Sequence, residues 1–237
     1  MSVKESGLGG SSTLNVALAL ALLKEKGELT NPEELARIAN YIERKILQVE
    51  GGYQDQWAAA YGRGLNLMIF KNKRVEVIPI KISIDTLRKL EENSILVYFS
   101  ERANTGKDIH KDQEKRMNEN PEEQKQIMIE KRENTMKLKE YLEKGDLEKF
   151  AECLNKDWEL KKKLSAKIER GDDIYKLALE NGALGGRLCG AGSGGVYYFF
   201  CKEGKKEQVL SAIKPFIKMQ IPFKIQRAEE YGNWYQT

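Results

Sequence analysis

The sequence predicts an α+β fold, and two observations carry that prediction. In the first part of the chain, two short β-type runs flank the polar segment KNKR, which is typical of a β-hairpin placed among helices. In the last part, a strand, a group of helices, a strand, a helix and a final strand follow one another, as in a split βαβ sandwich. Because helices and strands are mixed in this way, the class is α+β.

The chain length sets the number of domains. With 237 residues, the protein can form one large domain or two small ones around a buried core. We place a boundary near Glu92, which predicts a first domain over residues 1–92 and a second over residues 93–237. The strands expected in these domains are LNLMIF, VEVIPI, SILVYFS, VYYFFC and PFKIQRA.

Helices in the first domain are predicted from capping residues and apolar spacing. The stretch from Leu14 to about Lys26 is predicted to be a buried helix. A second helix begins in TNPEELARIANYIERKILQ, where Asn31 suits the N-cap and Pro32 the first helical position. The apolar residues that then repeat at helical spacing are Leu35, Ile38, Ala39, Ile42 and Ile46.

The second domain is predicted to be mostly helical between residues 104 and 170. Gly145 and Asp146 are expected to separate two of its helices. DDIYKLALENGA predicts a helix that closes at Gly182, and a further helix is expected from about Lys206 to Lys218. The charges in this region are interpreted as a solvated face, because blocks of like charge are absent.

Composition argues against several classes of function. The 40 Lys+Arg and 36 Asp+Glu residues leave a net charge of +4, too weak an excess to indicate a nucleic-acid partner. The longest apolar run, Leu14 to Leu23, is too short to span a bilayer, so no membrane partner is expected. With one histidine, His110, a histidine triad or imidazole metal site is not expected either. Carboxylates, hydroxyls and backbone groups must therefore carry any catalysis.

Cysteine usage bears on the cellular compartment. The 3 cysteines have no metal-type spacing, and their odd number argues against a full disulfide framework. Together with the absence of a signal-peptide pattern at the start of the sequence, this predicts reduced thiols and a cytoplasmic protein.

A glycine-serine loop, GLGGSST at residues 7–13, runs directly into an apolar helical stretch. Glycines let backbone N–H groups approach an anion, and a helix N-terminus adds unpaired donors and a positive dipole end. Phosphate binding is one interpretation, and an ordinary Ser/Thr cap after a flexible start is the other. The loop is not a P-loop, because no Lys-Ser/Thr pair follows the glycines.

A second glycine-rich segment, GAGSGG at residues 190–195, formally matches the dinucleotide fingerprint G-x-G-x-x-G. We reject that interpretation because the fingerprint needs a strand before it and a helix after it. Here the strand VYYFFC follows, and no strand-like run precedes the segment. A structural turn and a functional loop that approaches a ligand closely both remain open.

Two carboxylates in the first domain are candidates for chemistry. Asp55 follows two glycines and precedes an apolar helical turn, so it can cap that helix or act as a general base. Glu43 has apolar neighbours at helical spacing. It is either a surface residue at the edge of the stripe or a buried carboxylate that needs a cation, a metal or hydrogen bonds.

Taken together, these segments resemble the GHMP family of sugar and metabolite kinases. GLGGSSTLNVALAL is similar to the second signature of that family, and LCGAGSGGVYYFF is similar to the third. IERKILQVEGGYQDQWAAAYG resembles the segment that carries the catalytic aspartate. Its Gly-Gly-x-Gln-Asp-Gln form points to the bacterial sugar-1-kinases that act on D-glycero-D-manno-heptose 7-phosphate and, further off, to fucokinase. DWELKKKLS and ENGALGGRLCGAG fit that branch too.

The resemblance implies a two-domain architecture and an ATP- and Mg²⁺-dependent kinase. The N-terminal domain would be like ribosomal S5 domain 2, and the C-terminal domain would be a ferredoxin-like sandwich with added helices. The enzyme would transfer the γ-phosphate of ATP to the anomeric hydroxyl of a sugar phosphate. It would act on small molecules in carbohydrate metabolism. The oligomeric state is left open, with a homodimer as one alternative.

The resemblance also assigns roles to individual residues. Asp55 is implied as the catalytic acid position that takes or polarises the proton of the sugar hydroxyl, and Ser11 and Glu43 as Mg²⁺ ligands. The residues implied to bind the ATP phosphates are Gly7, Leu8, Gly9, Gly10, Ser11, Ser12 and Thr13. Those implied to form a tight turn near the active site are Gly190, Ala191, Gly192, Ser193, Gly194 and Gly195. Those implied to lie on the substrate side are Gly52, Tyr53 and Gln54.

The sequence departs from the family pattern in ways that leave alternatives open. Gly10 stands where the family usually has a serine, and Tyr53 stands where the heptose kinases usually carry a lysine. A kinase of fucose, galactose or another sugar is therefore an alternative. The first family signature is missing, so the chain is expected to correspond to the C-terminal two-thirds of such a kinase with an incomplete N-terminal domain. A non-catalytic fragment or pseudokinase is a further alternative.

Overall fold

A computed structural model describes residues 8–49, 51–72, 74–100, 106–168, 171–192 and 194–226. They fall into two compact units. The first unit comprises residues 9–79 and 225–226, and the second comprises residue 8 and residues 80–224. The units therefore divide after Pro79, and the domain boundary near Glu92 stays a prediction.

The first unit combines helices with one antiparallel hairpin. Its elements are α1 (Gly10–Glu25), α2 (Pro32–Tyr41), a π-helical turn (Ile42–Ile46), α3 (Gln54–Tyr61), β1 (Asn66–Lys71) and β2 (Arg74–Pro79). The predicted N-cap of α2 is confirmed, because the Asn31 side chain accepts a hydrogen bond from the Glu34 N–H. The predicted hairpin is also confirmed, with Asn66 paired to Pro79 at its open end.

Only one face of α1 is buried, so the prediction of a buried helix is wrong. One cluster of buried apolar residues in the first unit contains Val16, Ala19, Leu35, Ala36, Ala39, Trp57 and Ala60. Leu14, Leu18 and Leu22 are instead exposed. The run from Leu14 is apolar all round, but only one side of it packs with the core residues of α2 and α3.

The second unit is built around a four-stranded antiparallel sheet. Its elements are α4 (Ile84–Asn93), β3 (Ser94–Ser100), α5 (Gly106–Glu119), α6 (Pro121–Lys144), α7 (Leu147–Leu164), α8 (Asp172–Glu180), β4 (Ala183–Leu188), β5 (Gly195–Cys201), α9 (Lys206–Ile213) and β6 (Met219–Ile221). The strand order β4-β5-β3-β6 is that of a ferredoxin-like sheet, so the predicted split βαβ sandwich is confirmed.

Sheet and helices enclose one apolar core in the second unit. Trp158 on α7 and Tyr197 and Phe199 on β5 are fully buried there, and the Tyr197 and Phe199 rings stack at 5.1 Å between centroids. Gly145 has a φ of 72° and separates α6 from α7, as predicted.

Two strand predictions for the second unit are wrong. A strand, β4, does precede the glycine-rich segment, although ALGGRL has two glycines and little β propensity. A Cβ on Gly185 would lie 2.2 Å from the Ala151 carbonyl oxygen, so this close approach to α7 requires glycine. The last strand is β6 rather than PFKIQRA, whose described residues 222–226 lie outside any strand. Pro222, which has no N–H to donate, follows β6 directly. Residues 227 and 228 lie outside the described part of the chain.

The helix predicted from Lys206 to Lys218 is shorter in the structure. It ends at Ile213 and passes into a single 3₁₀ turn, Lys214–Phe216. Pro215, which cannot donate the backbone hydrogen bond of a continuing α-helix, lies in this turn. Across the described ranges, no helix is long and apolar enough to cross a membrane.

Candidate active site

The glycine-serine loop enters α1 through a left-handed glycine. Gly9 is the N-cap of α1, with a φ of 72°, and no described side chain caps this helix end. Thr13 donates from both its N–H and its Oγ1 to the Gly9 carbonyl oxygen, each at 3.0 Å. The N–H groups of the first helical turn therefore have no side-chain acceptor, which is the arrangement that suits an anion. Leu8 is exposed, and Gly7 lies outside the described residues.

Glu43 is buried against the start of α1, with 4% of its surface exposed. Ser11 Oγ donates to Glu43 Oε1 at 3.0 Å, and Ser12 Oγ donates to Glu43 Oε2 at 3.1 Å. A buried carboxylate needs such partners, so the alternative of a surface glutamate is excluded. The structure thus brings together Ser11 and Glu43, the two residues predicted to hold Mg²⁺.

A π-helical turn gives Glu43 its position. The turn Ile42–Ile46 follows α2 without a break, and the Leu47 N–H donates to the Ile42 carbonyl oxygen at 2.9 Å. Such single wide turns occur frequently at functional sites. From α3, the buried Gln56 side-chain amide also donates to Glu43 Oε2. Three segments distant in sequence therefore converge on one carboxylate.

Asp55 lies in the first turn of α3 and is exposed. The N-cap of α3 is Tyr53, so Asp55 does not have the capping role that was one of its two interpretations. A Cβ built on Gly9 would lie 3.6 Å from Asp55 Cβ and Cγ. The candidate catalytic carboxylate therefore lies close to the glycine-serine loop, with room for little more than one added methyl group between Asp55 and Gly9.

The three residues that immediately precede Asp55 in sequence, which are predicted to lie on the substrate side, are also exposed to solvent. Gly52, Tyr53 and Gln54 are all exposed, Tyr53 to 57% of its surface. An exposed tyrosine ring and amide near Asp55 are suited to contact a polar ligand. Gly10 is exposed at the start of α1, and a Cβ on it would meet nothing within 4 Å.

The glycine turn, residues 190–195, belongs to the second unit and connects β4 to β5. Gly190, Gly192, Gly194 and Gly195 have φ angles of 65°, 101°, 128° and 101°. These left-handed values explain why glycines occupy the turn. Ala191 is half-buried, and Ser193 lies outside the described residues. The position of the turn relative to the glycine-serine loop stays a prediction.

Lys161 on α7 binds the backbone at the start of the glycine turn. Its Nζ donates to the carbonyl oxygens of Leu188 at 3.1 Å and Gly190 at 2.5 Å. Burial, together with the nearby Arg187 charge, lowers the pKa of Lys161 to about 7. This buried lysine in DWELKKKLS was not identified from the sequence as part of the turn.

An ion-paired carboxylate lies close to Lys161. Asp157 forms ion pairs with Lys131 on α6 and Arg187 on β4. Burial opposes its ionised form, but Arg187 and Lys131 keep the pKa of Asp157 below its usual range. This cluster ties α6, α7 and β4 together.

The residues of the first unit fit a magnesium ion. Among the described residues, no group of three or more His, Cys, Asp or Glu side chains could hold a metal on its own. Mg²⁺, however, typically uses one or two protein oxygen ligands together with water and substrate phosphates. The Ser11 hydroxyl and the Glu43 carboxylate, which already contact one another, are oxygen donors of that kind.

Sequence reasoning missed two residues near Asp55. Gln56 is fully buried and binds Glu43, and its position beside Asp55 in sequence was the available signal. Arg44 Nη2 lies 4.0 Å from Glu43 Oε2 and also binds the backbone before α3. No local pattern separates Arg44 from a surface arginine, because its contacts depend on the π-helical turn.

Comparison with known proteins identifies two family domains along this chain. The model of the GHMP kinases N terminal domain matches residues 4–63, and the model of the GHMP kinases C terminal domain matches residues 138–217. The first match contains the glycine-serine loop, Glu43 and Asp55, and the second contains the glycine turn. Together, the two models cover more than half of the chain.

Two sequence relatives are sugar kinases. D-glycero-alpha-D-manno-heptose 7-phosphate kinase from Campylobacter jejuni subsp. jejuni serotype O:2 is 37% identical over 212 residues, covering 88% of this chain and 61% of the relative. Galactokinase from Thermotoga neapolitana is 24% identical and covers 92% of this chain and 69% of the relative. The chain therefore spans about three-fifths of the length of the heptose kinase that it matches.

Solved structures share the fold. A D-glycero-D-manno-heptose 1-phosphate kinase from Bacteriodes thetaiotaomicron superimposes with a TM-score of 0.72 and 29% identity, over 94% of this chain and 62% of that one. L. major mevalonate kinase in complex with R-mevalonate superimposes with a TM-score of 0.71, at 22% identity, over 93% of this chain and 66% of that one. With both family models matched in order and the α+β architecture in place, the chain belongs to the GHMP kinases.

Proposed function

We propose that this chain carries the phosphate loop and catalytic aspartate of an ATP-dependent sugar kinase. The reaction is transfer of the γ-phosphate to the anomeric hydroxyl of a sugar phosphate, and the proposed substrate is D-glycero-D-manno-heptose 7-phosphate. One observation carries the proposal: Glu43 is buried against Ser11 and Ser12, and the exposed Asp55 lies so close to Gly9 of the same loop that a Cβ there would contact it. The 37% identity to a heptose 7-phosphate kinase supports the choice of substrate.

In this proposal, the start of α1 holds the phosphates. The uncapped N–H groups of the first turn and the positive end of the helix dipole would stabilise negative charge on the transferring group. Ser11 and Glu43 would hold Mg²⁺, which supplies charge neutralisation on the phosphate oxygens when it is bound. Gly10 leaves the helix start open, because it adds no side chain there.

Asp55 is proposed to act on the acceptor. Its carboxylate would accept the proton of the anomeric hydroxyl, or orient that hydroxyl, as the oxygen attacks phosphorus. Gly52, Tyr53 and Gln54 are proposed to contact the sugar, and residues 190–195 to form a tight turn near the nucleotide phosphates. The proposed setting is the cytosol, with small molecules as partners rather than nucleic acid or membrane.

The proposal is tested by assaying phosphoryl transfer from ATP to D-glycero-D-manno-heptose 7-phosphate with Mg²⁺. Asp55→Asn should lower kcat by about 10²–10⁴-fold, the usual contribution of a general acid–base group. The matched control is Asp173→Asn, an exposed carboxylate in the first turn of α8. Turnover that is unaffected by Asp55→Asn would remove the role assigned to Asp55.

Tyr53 favours a second candidate substrate. It stands where a lysine is usual in the heptose kinases, and a galactokinase is also among the relatives. A panel of free and phosphorylated sugars distinguishes the candidates, and a preference for a free hexose would overturn the heptose assignment. Tight binding of Mg·ATP by calorimetry, without turnover of any sugar, would instead identify a pseudokinase or a fragment.

A further inference from the structure

Arg44 occupies the π-helical turn next to Glu43, and its guanidinium binds the backbone that leads into α3. Nη1 donates to the Val49 carbonyl oxygen at 2.7 Å, and Nη2 donates to the Gly52 carbonyl oxygen at 2.6 Å. The side chain is 16% exposed. Two short hydrogen bonds from one planar group fix the separation of two carbonyls that are three residues apart.

The backbone bound by Arg44 is irregular. Gln48 has a φ of 50° and Gly51 a φ of 151°, both of which L-residues rarely adopt. A Cβ on Gly51 would lie 2.8 Å from Arg44 Nη2, so the chain passes directly against the guanidinium. The Val49 N–H donates to the Glu43 carbonyl oxygen at 2.9 Å. The described residues between the π-helical turn and α3, 47–49 and 51–53, form no helix or strand, and Arg44 supplies side-chain contacts to two of them.

Two neighbouring residues of the π-helical turn, Glu43 and Arg44, bind different segments of the chain. Glu43 accepts from the hydroxyls at the start of α1, whereas Arg44 reaches the carbonyls that precede α3. Arg44 Nη2 also lies 4.0 Å from Glu43 Oε2, which links both groups electrostatically. Asp55 lies three residues after Gly52 in sequence, at the second position of α3, so its backbone position depends on where Gly52 is held.

We infer that Arg44 is a positioning residue for Asp55. Its guanidinium holds the carbonyls of Val49 and Gly52, and this sets where α3 begins and where the Asp55 carboxylate lies relative to the glycine-serine loop. The catalytic consequence rests on the proposed function of Asp55. A lysine at this position has no rigid planar group that could bind two carbonyls at once. Arg44→Lys therefore keeps the positive charge but loses the paired hydrogen bonds to the carbonyls of Val49 and Gly52.

The structural part of the inference is tested without any activity. Hydrogen–deuterium exchange of the backbone amides in residues 47–55 is compared for the wild type, Arg44→Lys and Arg88→Lys. Arg88 is a matched control because it lies on α4 in the second unit and pairs with Asp85 and Glu92 on the surface. We expect exchange to be faster by about tenfold in Arg44→Lys and unchanged in Arg88→Lys. Equal exchange in all three proteins would overturn the inference.

The catalytic part is tested by a split between kcat and KM and by chemical rescue. We expect Arg44→Ala to lower kcat by about 10²-fold, the effect of misplacing a catalytic group, with KM for ATP nearly unchanged. Added guanidinium ion should restore part of the kcat of Arg44→Ala but none of that of Asp55→Asn. Full turnover by both Arg44 variants would overturn the positioning role. If wild-type protein has no turnover, the proposed function fails while the exchange experiment still decides the role of Arg44.

Discussion

Two buried carboxylates, Glu43 in the first unit and Asp157 in the second, are satisfied in opposite ways. Glu43, 4% exposed, accepts from the neutral hydroxyl and amide donors of Ser11, Ser12 and Gln56. Its closest described cation, Arg44, is 4.0 Å away. Asp157, 6% exposed, forms ion pairs with Lys131 and Arg187.

The difference separates a candidate ligand from a structural group. The hydroxyl and amide donors are neutral and the Arg44 guanidinium lies at 4.0 Å, so the negative charge of Glu43 is compensated less fully than that of Asp157, and a bound cation can still be attracted to it. Two adjacent cations already neutralise Asp157, whose removal would leave Lys131 and Arg187 without their anion. Burial of a carboxylate alone therefore does not identify a site, and the chemistry of its partners does.

The largest effect is expected from removing the anion of the second unit. Asp157→Ala should lower the free energy of unfolding by about 3–5 kcal/mol, because half-buried Lys131 and buried Lys161 would remain next to Arg187 without a counter-charge. Urea unfolding measures this loss, with Asp173→Asn as the exposed control. A loss below about 1 kcal/mol would be typical of an exposed ion pair and would contradict the structural role that distinguishes Asp157 from Glu43.

Glu43→Gln should have the opposite profile. It preserves the shape of the side chain and removes its charge, so kcat with Mg·ATP should fall by about 10²–10³-fold, as on loss of one electrostatic stabiliser. The free energy of unfolding should change by less than in Asp157→Ala. Steady-state kinetics and urea unfolding of the same preparation give both values. A variant that unfolds easily but turns over normally would reverse the assignments.

One glycine near each of the two buried carboxylates provides a test with a smaller expected change in stability. Gly9→Ala and Gly192→Ala both place a side chain at a left-handed φ, 72° and 101°, which costs about 1–2 kcal/mol in each. The new Cβ at Gly9 would be 3.6 Å from Asp55, an ordinary contact, whereas at Gly192 it would lie 2.9 Å from Ile168 Cγ2 and 3.0 Å from Lys161 Cε. Gly192→Ala should therefore be the more destabilising in urea, and equal losses would argue against tight packing around the glycine turn.

The smallest effect is a pH dependence centred on Lys161. Burial and then Arg187 lower its pKa in the folded state to about 7, so the unfolded chain binds more protons above that pH. Stability should therefore rise with pH from about 7 to 8, by less than about 1.4 kcal/mol per pH unit. Above that range the trend is opposed by Cys153, Cys189 and Cys201, because burial raises the pKa of these thiols in the folded protein while they ionise at about pH 8.5 in the unfolded chain. Asp157, Lys131 and Cys189 are the other ionisable groups acting on Lys161 besides Arg187. Lys161→Met should abolish the rise between about pH 7 and 8, and the same rise in both proteins would assign it elsewhere.

Much of the fold could be predicted because its signals are local. The N-cap Asn31 and the left-handed Gly145 act on residues adjacent to them in sequence, and both appear as predicted. Strand β4 was missed because its glycines are explained only by the closeness of α7 and of Phe199 on β5, which no local window contains. The same holds for α1, whose apolar run does not indicate which face packs with α2 and α3.

In the candidate site, too, the features with local signals could be predicted and those that depend on distant residues could not. The sequence by itself determined the residue types, namely the glycine-serine loop, Asp55 and Glu43, since their order along the chain is a covalent property. Only the tertiary structure decided that Ser12 and Gln56 bind Glu43 and that Arg44 binds the segment before α3. The reason is that a π-helical turn and the burial of a charge both depend on partners distant in sequence, whereas caps and turns depend on near neighbours.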